Sequence, residues 1–138
     1  MAEDAPALAH IGIATAELDR AEAMLAALGA SLEGREVVAS EGVEVSFVRL
    51  GDVPLEFLRP LDPDAEGGVA GFLRRRGPGV HHVALGTKDL AALLAQLKAA
   101  GVEPVGGGAR PGAGGRPVAF LHPRDTGGLL IELCEVSA

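Results

Sequence analysis

The feature that most constrains this chain is that it is written twice. Residues 9 to 19 read AHIGIATAELD and residues 80 to 90 read VHHVALGTKDL. Sliding one half along the other by 72 positions superposes His10 on His82, Thr15 on Thr87, Leu18 on Leu90, Leu25 on Leu97 and Gly29 on Gly101. The offset then grows by a few residues, and Glu56 in LEF falls on Glu132 in IEL. A repeat of this length means one supersecondary unit used twice. A single such unit leaves one sheet face unburied, and pairing two copies removes that exposure.

The local pattern predicts the same elements in each half. LAHIGIA (8–14) is a short apolar strand with isoleucines two apart. Thr15 is the expected N-cap of the helix AELDRAEAMLAALG, whose Leu18, Ala21, Leu25 and Leu28 share a face and whose Gly29 closes it. Strands are expected over 32–39, 43–50 and 54–60. The second half starts again with a strand at 80–86, Thr87 as cap and the helix KDLAALLAQLKAAG, ending at Gly101. A short extended piece at 102–105, a glycine-rich loop, the strand PVAFLHP, a turn at 125–128 and the strand LLIELCEV complete it. The predicted fold is therefore α+β, a single domain of two paired βαβββ modules (8–60 and 80–136) forming a cupped eight-stranded mixed sheet. A connector at 61–79 joins them, with a helical turn around 69–75.

Composition limits what such a fold can do. The net charge is −7, which disfavours a nucleic-acid or anionic-membrane binder. No apolar run is long enough to span a bilayer. The single cysteine, Cys134, excludes an intrachain disulfide framework and fits a reducing compartment. The first ten residues carry acids and no basic stretch, so a cytoplasmic protein is expected.

The repeated polar residues are His10, Glu56, His82 and Glu132, each set among apolar neighbours in a strand. A carboxylate in that setting is costly unless it is paired or coordinated. Two equivalent His/Glu pairs make an N2O2 donor set suited to a borderline divalent ion. His82 rather than His81 aligns with His10, and strand alternation sends His81 to the other face.

The segments HIGIA, EGVEVSFVRLG, LEFLRPLDPD, GFLRRRGPGVHHVALGTKDL and above all GGRPVAFLHPRDTGGLLIEL extend the argument. With them the chain resembles the vicinal oxygen chelate (glyoxalase/bleomycin resistance/dioxygenase) superfamily and, within it, the methylmalonyl-CoA epimerases, over roughly residues 8–134. The resemblance implies metal ligation by His10, His82 and Glu132, with Glu56 fourth, and Glu132 as a catalytic base. It also implies one divalent ion, cobalt foremost with zinc, nickel or manganese as substitutes, an acyl-CoA substrate and a homodimer. The implied reaction interconverts the C2 epimers of methylmalonyl-CoA through a metal-stabilised enolate.

Some epimerases carry glutamine where Glu56 stands, so the ligand set is also like that of glyoxalase I, the competing reading. A non-catalytic binding protein of the same fold is the third. Some members carry a glutamate base at the position of Val45, where this chain has Glu44 one residue away. A bulge would be needed to turn Glu44 inward. Arg74–Arg76, Lys88, Arg110, Arg116 and Arg124 are candidates to meet the CoA phosphates, and His122 to orient substrate or a loop.

Overall fold

The computed structural model describes residues 5–136. The strands are β1 (Ala7–Ala14), β2 (Ser31–Val38), β3 (Val43–Leu50), β4 (Val53–Pro60), β5 (Gly79–Thr87), β6 (Arg110–Pro111), β7 (Pro117–Leu121) and β8 (Ile131–Glu135). The helices are α1 (Leu18–Ala27), α2 (Gly68–Arg76), α3 (Leu90–Ala99) and α4 (Pro123–Thr126). The fold is α+β, with eight strands hydrogen-bonded in the order β2-β3-β4-β1-β5-β8-β7-β6 into one mixed sheet. The chain divides into two units, one of His10–His81 and one of the described residues up to Ala9 together with those from His82 onward.

In the first unit, β1 runs parallel to β4 with Gly12 opposite Glu56, and β3 runs antiparallel to β4 from Val43/Pro60 to Leu50/Val53 without a break. The β2–β3 ladder shifts register between Leu32 and Arg35. One sheet face packs against α1 through Leu18, Val48 and Phe57, joined by Ile13, Ala21, Leu25, Ala30 and Leu55. In the second unit, β5 runs parallel to β8 with Ala84 opposite Glu132, and β7 runs antiparallel to β8 with Phe120 opposite Glu132. Its α3 face is built on Leu90, Ala119, Leu121 and Leu133. The burial of a few Leu, Val and Phe side chains, each contributing about 1.5–3 kcal/mol when fully removed from water, holds each helix to its sheet.

The helix ends differ from expectation in one shared way. Thr15 and Thr87 are not the caps. Their hydroxyls accept the N–H groups of Glu17 (3.1 Å) and Asp89 (3.3 Å), making a turn before each helix. The cap positions are Glu17, which makes no side-chain cap bond, and Asp89, whose carboxylate accepts from the Ala92 N–H at 3.0 Å. At the other end Leu28 and Ala100 are the C-caps, and Gly29 (φ 95°) and Gly101 (φ 87°) take the left-handed position just beyond. The following Ala30 and Val102 N–H groups return to Leu25 and Leu97 carbonyls at 2.9 and 2.8 Å, the same closing motif in both halves. Leu28, expected on the buried face, is 65% exposed because the helix has already ended there.

Four further boundaries are corrected. Residues 102–105 form no strand, since Pro104 lacks a donor and glycines follow. The glycine-rich loop instead contributes the two-residue β6. The turn expected at 125–128 is the short helix α4 closed by Gly127, and β8 is shorter than the run 129–136. In the connector, α2 is a full helix, and Arg74 ties it to the Pro63 and Ala65 carbonyls at 2.9 and 2.6 Å.

Candidate functional site

Strand alternation decides which side chains share the face turned away from each helix. In β1, Ile13 belongs to the α1-facing cluster, so His10, Gly12 and Ala14 lie on the other side, all three buried. Glu56 sits opposite Gly12 on β4, and its neighbours Leu55 and Phe57 face α1. The outcome is a pair with His10 Nδ1 3.0 Å from Glu56 Oε2.

The second unit repeats this with its own residues. Ala84, fully buried, stands opposite Glu132, and His82 is again two residues earlier. His82 Nε2 lies 2.9 Å from Glu132 Oε1. His82 is 4% and Glu132 8% exposed. The Phe120 ring meets His82 edge to face with centroids 6.0 Å apart. The buried Glu132 and the half-buried Glu56 each have an imidazole as partner, which offsets the cost of removing a carboxylate from water. Imidazole nitrogen and carboxylate oxygen are also the donors that suit zinc and its first-row neighbours, so the residues present fit a divalent ion.

His81 takes the opposite side of β5, with its ring 5.0 Å from that of Phe72 on α2 at an interplanar angle of 75°. Glu44 does not reach the Glu56 face. The β3–β4 register is unbroken there, Glu44 stands directly opposite Arg59, and the two form an ion pair. Val45, 2% exposed, holds the Glu56 side together with Leu58.

The other candidates scatter. Arg76 lies over Phe72 at 5.8 Å, and Arg110 lies over Phe120 at 4.9 Å. Arg116, Arg124 and Lys88 are exposed. His122 caps α4, its Nδ1 accepting the Arg124 N–H at 3.1 Å, so it shapes a loop. Cys134 is half-buried with its Sγ 3.6 Å from the Leu85 carbonyl.

Sequence reasoning missed a second polar cluster, on the α1 face. The Glu22 carboxylate accepts from Arg35 Nε (2.9 Å) and Nη2 (2.8 Å) and from the Ser46 hydroxyl (2.5 Å), while Arg35 also reaches Asp19 at 2.5 Å. The Arg35 and Ser46 hydrogen bonds hold the Glu22 carboxyl at about 2, below its ordinary 4.5. Arg35 is correspondingly raised by its bonds to Glu22 and Asp19. The buried Ser46, unremarkable in sequence, is what fastens α1 to β3 here.

Residues 9–120 match the family described as the Glyoxalase/Bleomycin resistance protein/Dioxygenase superfamily. The chain belongs to this superfamily. Among its relatives there, it is 37% identical over 128 residues to the mitochondrial methylmalonyl-CoA epimerase of Homo sapiens, covering 91% of this chain and 72% of that one. It is 38% identical over 133 residues to an ethylmalonyl-CoA/methylmalonyl-CoA epimerase of Cereibacter sphaeroides, covering 94% and 97%. A variant of Streptomyces coelicolor methylmalonyl-CoA epimerase, solved in complex with 2-nitronate-propionyl-CoA, superposes with a TM-score of 0.86 at 34% identity, over 96% of this chain and 98% of that one.

Proposed function

We propose that this member of the superfamily interconverts the two C2 epimers of methylmalonyl-CoA. The observation that carries the reading is the buried His82–Glu132 pair on the face of β8 turned away from α3, in a chain that matches epimerases along nearly its whole length. The C2 proton lies between a thioester and a carboxylate, so its removal leaves an enolate. Glu132 is the base on one face of C2. His82, within 2.9 Å, fixes the carboxylate's orientation.

A divalent cation is the cofactor this reading includes, with His10, Glu56, His82 and Glu132 as the residues that would hold it. The group His10, His82 and Glu132 offers donor atoms of the kind such an ion takes. When bound, the ion supplies Lewis-acid stabilisation of the negative charge that develops on the substrate oxygens. By resemblance the ion is cobalt. Return of the proton from the other face needs a second donor, and Glu44, paired with Arg59 on the α1 side, is not placed to be it.

We extend the proposal to a single domain of two modules, working as a homodimer in the cytoplasm. The dimer is supported by β2, which ends the sheet order and exposes Leu32 and Val37.

The test is C2 proton exchange of methylmalonyl-CoA in deuterated water, followed by NMR. Exchange with the native protein and a loss of about 10²–10⁴-fold in Glu132→Gln are expected. No exchange with the native protein, together with turnover of the methylglyoxal–glutathione hemithioacetal, would assign it to glyoxalase chemistry instead.

A further inference from the structure

The buried pair of His82 and Glu132 has a third member within the second unit. In β7, Phe120 stands directly opposite Glu132, so both side chains leave the same face of the sheet. The neighbouring Ala119, Leu121 and Leu133 point the other way, into the α3 core. Phe120 is buried, and its ring stands at 86° to the His82 imidazole with centroids 6.0 Å apart. Because β8 lies between β5 and β7, this contact spans the strand that carries Glu132. The first unit also sets an aromatic residue opposite its glutamate, Phe47 on β3 against Glu56 on β4. The placement therefore belongs to the repeat and not to one strand.

The plane of an imidazole is not fixed by its own rotamer preference. The last side-chain torsion of histidine is broad, so a neighbour must set it. A perpendicular ring does this, because its electron-rich face and electropositive edge favour one orientation over the rest. The Phe120 ring has the same soft torsion and is held in turn by the Arg110 guanidinium, 4.9 Å over it. Arg110 reaches that place from β6, whose approach to β7 depends on Gly112: a Cβ there would lie 2.6 Å from a Val118 methyl. An aliphatic side chain in place of Phe120 would fill the space and leave the imidazole free to turn. A turned imidazole no longer brings Nε2 to Glu132 Oε1.

We propose that Phe120 is a positioning residue: its ring fixes the plane of His82, and His82 in turn keeps the Glu132 carboxylate aimed at C2 of the substrate. The inference rests on the epimerase reading above. Phe120 takes no proton and offers no polar group to the substrate, so its loss acts on turnover rather than on affinity. Misplacing a catalytic group by about 1 Å costs on the order of 10²-fold in rate.

Kinetics of native protein, Phe120→Leu, Phe120→Met and Phe120→Tyr on methylmalonyl-CoA test this. The two aliphatic variants are expected to lose roughly tenfold to hundredfold in kcat with KM nearly unchanged. Phe120→Tyr keeps a ring and should retain most of the turnover; a loss equal to that of the aliphatic variants would count against the ring. Adding Phe120→Leu to Glu132→Gln should cost almost nothing more, since the group it positions is already gone. Two losses that multiply would mean a general packing defect and overturn the assignment. Proton–nitrogen correlation NMR of the imidazoles reads the ring itself. His82 resonances should broaden in the aliphatic variants, while those of the exposed His122 stay as they are. An inactive native protein would refute the epimerase reading and this role with it. An active native protein whose aliphatic variants keep kcat and sharp His82 resonances would refute the role of Phe120 alone.

Discussion

His81 and His82 are adjacent, identical in chemistry and opposite in consequence. His82 meets Glu132 at 2.9 Å, while His81 meets the Phe72 ring edge to face. His82→Ala is expected to abolish retained metal, measured by elemental analysis, and to cost most of the proton exchange. His81→Ala should keep both and lose about 0.5–1.5 kcal/mol of stability from the aromatic contact, read by chemical denaturation. Metal loss from His81→Ala with retention in His82→Ala would reverse the assignment. The sequence distinguishes the two because the repeat aligns His82, not His81, with His10, and a strand's period of two does the rest. The same period makes Glu44 legible as misplaced. What no period reveals is Arg110: its seat depends on a two-residue strand and on glycine's close approach to Val118, neither of which has a sequence period.

At the scale of elements, α1 is held by more than its apolar face. Glu22 links it to Arg35 on β2 and Ser46 on β3. Folding lowers the Glu22 carboxyl from 4.5 to about 2, so the folded state binds this proton less readily than the unfolded chain. The contribution is therefore full above about 4.5 and disappears as the pH falls toward 2. Glu22→Gln is expected to lose roughly 1–2 kcal/mol at pH 7, measured by urea unfolding, and the gap to the native protein should close as the solution is acidified through that window. A gap that stays constant from pH 7 to pH 2 would mean that the charge on Glu22 contributes nothing. Helix faces and the succession of strands along the chain were readable because apolar spacing reports them. The caps were not, because a threonine followed two residues later by an acid offers two hydrogen-bonding sites, and Asp89 rather than Thr87 takes the helix N–H. The bond from the Leu90 N–H to Glu135, 45 residues further along the chain, is beyond any local reading.

For the whole molecule, the proposal above asks one His/Glu pair of each module to hold a single ion. If His10 with Glu56 and His82 with Glu132 serve one ion, losing either histidine should weaken the same binding event, and the two losses should not add. Two independent sites would instead leave half of the metal behind in each single variant. Native protein, His10→Ala, His82→Ala and the double variant, loaded with cobalt and dialysed, distinguish these by metal content per chain. One ion per native chain and near-zero in all three variants is the expected result. Thermal unfolding gives a second readout. An ion present at a hundred times its dissociation constant stabilises the folded state by about 2.7 kcal/mol, which for a chain of this size shifts the midpoint by roughly 10 °C. A chelator should remove that shift from the native protein and change nothing in the double variant. A native protein that retains no cobalt after dialysis and whose midpoint cobalt does not shift would show that the two pairs are structural hydrogen bonds of a repeated core, and the mechanism would then have to proceed on the carboxylate of Glu132 without the ion.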